Sequence, residues 1–283
     1  MNSTEVNKYF NYHNENIKLI KIGFEEIRSA IKFTVKKKNS TNEYIYLQSS
    51  SSNDRKKLDE LLKSYFNILL GIQVSWAEES LKRLLYESDL FTDIQRNYII
   101  EKPLDQKWLL SLKIIFSIAY DLIPTGDEIC QTVNISNQRN NLGDELVDQY
   151  VELKSIISSN LVPNFSLRNK LQHGEWKNGF KPRYSKEYCP IISAKISNEN
   201  IVTTTSRYTI VNTIYQMLVD LGRFKSDQFA LDSISTPFEF YYDRYKKKIT
   251  YEVDKIQNHQ IEKFLLDIVV KEKVGIMKRS NHT

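Results

Sequence analysis

The stretch "SLRNKLQHGEW", Ser166 to Trp176, gathers the residues of this chain best suited to chemistry. Arg168 carries a permanent planar charge whose forked N–H donors match the oxygens of a phosphate or carboxylate. His173 can take and give protons near neutral pH. Asn169 stands four positions before it, so on a helix turning about 100° per residue the two lie within about 40° of one another and can touch. Leu167 and Leu171 form the apolar stripe of the segment, which leaves Arg168, Asn169 and His173 mainly on accessible faces. Gly174 is placed where a helix commonly stops in the left-handed conformation. The imidazole then sits in the last turn, where the helix dipole and a nearby guanidinium act on its charge in opposite senses. Acid–base catalysis often requires a group under such opposing influences.

Helices must position these side chains. The 283 residues suffice for one large domain or two small ones, and 41% hydrophobic with 27% charged residues is a globular mixture. Eight Gly and six Pro are few, which favours long uninterrupted helices over the frequent turns of an all-β chain. Apolar spacing predicts a helix over 16–34, a mobile connection over 36–53 with a small hairpin around Tyr44 to Leu47, and one long helix or two joined near Gly71 after Asp54. A further helix is expected from Phe91, and a central one, apolar nearly all round, follows Pro103. A polar loop separates it from a helix capped by Asp144, and Pro163 permits a restart before the Arg168 segment. The alternating, Thr/Ile-rich residues 187–205 read as a hairpin or irregular flap. Helix returns after Ser206 and again in the tail.

The formal charge of +5 assists an anionic partner without specifying one. Three basic runs stand out: Lys36 to Lys38, Arg55 to Lys57, and Arg244 with Lys246 to Lys248. Each taken alone reads as a solvated helix end or loop, and a phosphate-binding role requires the fold to bring cations together. Cys130 and Cys189 lack any Cys-x-x-Cys neighbour, and His13, His173, His259 and His282 have no metal-ligand spacing, so neither a zinc cage nor a disulfide framework is expected. No metal and no cofactor are called for. The first residues show no secretory pattern and no stretch has the length of a membrane span, so a cytoplasmic location without membrane association is expected.

An arginine, usually followed by a small polar residue, with a histidine four to six places on, resembles the signature of the HEPN superfamily. The matching residues are Arg168, Asn169 and His173, embedded in "RNKLQHGEW" and preceded by the helix "SWAEESLKRLLYE"; together they look like a largely uncharacterised bacterial branch of that superfamily. The resemblance covers Asp54 to Phe224. It implies an all-α, HEPN-like helical bundle with additional N- and C-terminal helices. The corresponding division is an N-terminal helix and flexible connection over 1–53, a core over 54–224 and a helical extension over 225–283, or all three as one domain.

The resemblance also implies metal-independent cleavage of RNA by a homodimer in which two arginine–histidine motifs face one another. The ribose 2′-hydroxyl would attack its adjacent phosphate. His173 would carry protons, Arg168 would offset charge on phosphorus and Asn169 would orient the imidazole. Lys170, Glu175 and Lys177 are the candidate substrate contacts, with Glu175 also a candidate partner for Arg168. A prokaryotic toxin or antiphage-defence effector is the implied role, with an antitoxin or nucleotidyltransferase as possible partner. Two plainer readings stand beside this one. The same groove can serve a non-catalytic module that binds RNA, a nucleotide or a protein. The motif can also be structural, with Arg168 in a surface ion pair and His173 bonded to its own helix's last carbonyls.

Overall fold

A computed structural model describes residues 1–45, 52–173, 175, 177, 188–224 and 237–258. Its elements are α1 (Ser3–Ile45), α2 (Ser52–Leu85), α3 (Asp93–Ile100), α4 (Leu104–Ala119), α5 (Arg139–Leu142), α6 (Asp144–Asn160), α7 (Val162–Gln172), α8 (Pro190–Asn198), α9 (Ile201–Gly222) and α10 (Pro237–Gln257), with a 3-10 turn at Ile135–Asn137. The chain is all-α, and no strand occurs among the described residues. None of the described helices is long and apolar enough to cross a membrane.

Three expectations about local structure change. Helix α1 is not confined to 16–34 but runs from Ser3 to Ile45, whereas α2 takes the single-helix form of the two expected, continuous through Gly71. Thr34 and Val35 are buried just before the lysine run, and lysines are good helix formers, so nothing at Lys36 to Lys38 stops propagation. The hairpin around Tyr44 to Leu47 falls partly outside the described residues, and Tyr44 itself is helical.

The hairpin or flap over 187–205 is replaced by α8 and the start of α9. Pro190 opens α8 at a position where its missing N–H costs nothing. Asn200 then caps α9, its side-chain oxygen accepting from the N–H groups of Val202 at 2.9 Å and Thr203 at 3.1 Å. Thr203 answers by accepting from the Asn200 N–H at 3.0 Å. This reciprocal cap and the burial of Ile196, Ile201, Thr203 and Thr204 override the β-preference of the Thr/Ile run. Helix α6 does begin at Asp144, but Gly143 occupies the cap position, and Asp144 instead pairs with Arg139 at 2.7 Å.

The chain divides into two units built from interleaved segments. The first comprises residues 1–19, 74–166 and 207–252. Its α4 packs against α3 and α6, with Trp108, Leu112, Ile114 and Phe116 fully buried and Val147, Leu153 and Ile157 facing them from α6. The rings of Phe116 and Tyr150 lie 5.1 Å apart. Each such large apolar side chain contributes about 1.5–3 kcal/mol on burial. Gly222 ends α9 where Leu90 comes so close that a Cβ would meet its Cδ2 at 2.4 Å, so a larger residue there requires the Leu90 side chain to shift. Buried polar ties include the indole N–H of Trp76 donating to Asn212 at 3.2 Å and the hydroxyl of Tyr215 donating to Glu87 at 3.0 Å.

The second unit comprises residues 20–73, 167–206 and 253–283. Its core takes Phe24, Ile31 and Val35 from α1, Leu58, Leu62, Leu69 and Leu70 from α2, Leu167 and Leu171 from α7, and Ile196 and Ile201 from the Thr/Ile region. Spacings of four and seven put the α1, α2 and α7 residues each along one helix face, with Leu70 beside Leu69. This unit contains the arginine–histidine segment.

Candidate functional site

Helix α7 starts immediately after α6, with Pro163 in its first turn and the Asn164 side chain donating to the carbonyl of Asn160 at 2.8 Å. Leu167 and Leu171 are buried and fix which way the last two turns face. Arg168 is then half-buried, while Asn169 and His173 are exposed. The helix closes with His173 N–H donating to Asn169 O at 3.2 Å and Lys170 O at 3.1 Å, and Glu175 N–H donating back to Lys170 O at 3.1 Å. That six-to-one bond is the signature of a Schellman closure. Gly174 and Trp176 lie outside the described residues.

The side chains pair differently from the simplest expectation. The guanidinium Nη1 of Arg168 donates to the amide oxygen of Asn169 at 3.2 Å, so Asn169 engages the arginine. No described residue makes a hydrogen bond to the imidazole of His173. Glu175 pairs with Lys170 at 3.0 Å, both side chains about one-seventh exposed. The expected substrate contacts Lys170 and Glu175 thus neutralise one another at the helix end. On α7 the five-residue separation of Arg168 and His173 amounts to about 140° of rotation, so the two diverge around the axis.

Lys177 remains exposed and lines a cavity of about 360 Å³ with Lys56, Asp59, Glu60, Lys63, Ser64 and Asn67 of α2. Lys38 forms an ion pair with Asp59, and Lys63 donates to the Ser197 hydroxyl at 3.3 Å. With Asp59 matched by Lys38, the lining has three lysines against Glu60, a cationic recess beside hydroxyl and amide groups. Sequence reasoning noted Lys56 only as part of a basic run and missed Lys63, Ser64 and Asn67. The available signal was their helical spacing: Lys56, Glu60, Lys63 and Asn67 fall at steps of four, three and four on one face of α2.

The first unit holds a second imidazole. The Nδ1 of His13 lies 2.9 Å from Glu79, and the same carboxylate accepts from Asn16 at 3.1 Å and Lys82 at 2.8 Å. The ring of His13 stacks on Tyr86 with centroids 5.5 Å apart. Burial alone would raise the Glu79 carboxyl, but the hydrogen bonds from His13, Lys82 and Asn16, with the Lys82 charge, hold it down at about 2. Glu78, the residue before it on α2, pairs with Lys82 at 3.2 Å. Trp76 and Trp108 are core residues, 5% and 0% exposed.

Among the described residues, no three His, Cys, Asp or Glu side chains are grouped as a metal ion would need. Neither family models, nor curated proteins, nor solved structures contain a match to this chain.

Proposed function

We propose that the chain is a metal-independent endoribonuclease of the HEPN type, acting as a dimer in a prokaryotic toxin or antiphage-defence role. One observation carries this reading: an exposed histidine closes the same helix that bears an arginine hydrogen-bonded to its neighbouring asparagine, in the unit that also contains a lysine-lined recess.

In this mechanism the ribose 2′-oxygen attacks phosphorus and the bond to the 5′-oxygen breaks. Two proton transfers accompany these steps, one off the 2′-hydroxyl and one onto the leaving oxygen. His173 serves one of them. Arg168 offsets the added negative charge on the phosphoryl oxygens, and its contact with Asn169 limits where the guanidinium can swing. The divergence of Arg168 and His173 around α7 favours two copies across one cleft, the arginine of one opposite the histidine of the other. Lys177, Lys56 and Lys63 offer charge for the flanking phosphates. A partner antitoxin would silence the site by covering it.

The test is to incubate purified wild-type and His173→Ala protein with RNA in the presence of chelator and to map the ends. Wild type should leave 2′,3′-cyclic phosphate and 5′-hydroxyl termini while the variant leaves RNA intact. Strict magnesium dependence would overturn the metal-free route. Tight binding by both proteins without cleavage by either would assign a binding module instead.

A further inference from the structure

Helix α10 is two-faced. Phe238, Tyr242, Ile249 and Glu252 are buried along one side, at steps of four, seven and three. Two inward-turned tyrosines are tied by their hydroxyls, Tyr242 donating to Glu152 at 2.8 Å and Tyr245 donating to Asp220. Lys246 joins the first tie at 2.9 Å from Glu152. These bonds hold one face of the helix against the first unit.

The opposite face presents Phe240, 70% exposed, and Tyr251, 60% exposed, with Arg244 and Lys247 exposed between them. Their steps of four, three and four keep all four side chains within a sector of about 60°. The stripe is about 16 Å long at 1.5 Å per residue, a span that about five stacked nucleotides cover at 3.4 Å each. Lys248 flanks it, while Asp243 and Asp254 sit at its edges, so from Phe240 to Tyr251 cations outnumber acids on this face.

We propose that this stripe is a binding surface for single-stranded RNA. Cations track the phosphates and aromatic rings stack on bases, the combination that grips a single strand without reading its sequence. A duplex hides its base faces and offers the stripe only charge. A membrane surface fits poorly, because an interfacial helix needs a continuous apolar face. Here Phe238, Tyr242 and Ile249 are already buried in the protein, and the exposed rings of Phe240 and Tyr251 are separated by three turns with charges between them. The choice of RNA over DNA rests on the ribonuclease reading, whereas the preference for an unpaired strand comes from the stripe itself.

The experiment uses the full chain carrying His173→Ala, so that binding is read without cleavage whether or not the catalytic reading holds. Fluorescence anisotropy with a labelled oligouridylate of about 12 nucleotides gives Kd as a function of salt. Phe240→Ala with Tyr251→Ala should weaken binding about ten- to a hundred-fold, and Phe240→Tyr with Tyr251→Phe should restore it. Arg244→Gln with Lys247→Gln should reduce the slope of log Kd against log salt by about 1.4, two contacts at about 0.7 each. An RNA duplex of the same length should not respond to the ring substitutions. Unchanged single-strand binding in both double variants overturns the proposal. Equal weakening for duplex and single strand overturns the stacking role. Loss of binding to phosphatidylserine vesicles with RNA binding intact assigns the stripe to a membrane surface instead.

Discussion

His13 and His173 are set in opposite surroundings. The His13 side chain is 18% exposed, its Nδ1 is held by Glu79, and its ring is stacked on Tyr86. His173 stands one residue past α7, exposed, with its imidazole bonded by no described residue. On pairing alone His13 resembles the imidazole–carboxylate arrangement of many active sites, since a carboxylate on Nδ1 fixes tautomer and orientation. Its carboxylate, however, is also occupied by Asn16 and Lys82, and the whole cluster ties α1 to α2 within the first unit. Orientation and availability are therefore separate properties. His13 has the first, and His173 has the second together with a neighbouring arginine and a cationic recess in its unit.

The sharpest way to break this contrast is to delete each imidazole in turn. With the ribonuclease reading, His173→Ala lowers the rate of RNA cleavage by about 10²–10⁴, and the rate per folded molecule of His13→Ala stays within about two-fold of wild type. Single-turnover cleavage of a labelled RNA checks both. Loss of cleavage in His13→Ala with activity retained in His173→Ala would move the chemistry to the first unit.

Stability should run the other way. His13→Ala removes a hydrogen bond to a charged group and a ring contact, at a cost of about 1–2 kcal/mol. His173→Ala, at an exposed helix end, should remain within about 0.5 kcal/mol of wild type. Urea midpoints measured at fixed pH separate the two, and equal losses would mean that His173 is also structural.

Acid sharpens the same comparison. The Glu79 carboxyl is held at about 2 in the folded protein, below its ordinary value of 4.5. The unfolded chain therefore binds this proton first as pH drops, so the stabilisation is complete above about pH 4.5 and is lost as pH falls through the folded value near 2. Glu79→Gln lacks that proton linkage. Its melting temperature should start lower than wild type near neutrality and converge with it between pH 4.5 and 2. Parallel curves over that range would show that Glu79 carries no such coupling.

The contrast also explains what the sequence reveals and what it conceals. The apolar spacing of Leu167 and Leu171 is a local property, and it leads directly to a helix with Asn169 and His173 turned outward. The long course of α1 past Lys36 is hidden because a lysine run looks like solvent-exposed loop, although lysine extends a helix readily once Val35 is buried. The Thr/Ile residues before Ser206 carry a strand-like alternation that a two-residue exchange of caps, Asn200 with Thr203, outweighs. The lysine recess needs Lys177 to meet α2 from more than a hundred positions away, and no local pattern contains that contact. Pairing partners at α7 are hidden for a related reason: Lys170 lies within reach of Glu175, and rotamers rather than spacing decide that it takes the carboxylate.

The smallest predicted effect concerns Asn169, whose side chain could serve either neighbour. Its amide oxygen accepts from Arg168, which makes it a positioning residue for the guanidinium. Being exposed, it contributes little to folding, and Asn169→Ala should change stability by no more than about 0.5 kcal/mol. With the ribonuclease reading, an Arg168 freed of that contact samples more rotamers and meets the phosphate in the right geometry less often, so cleavage should fall about three- to ten-fold. The pH profile distinguishes the two possible roles. If Asn169 serves only Arg168, which stays charged throughout, the profile keeps its shape and moves down as a whole. If it serves the imidazole, as the four-residue spacing alone suggests, the limb governed by His173 shifts along the pH axis, and the arginine contact would then be incidental.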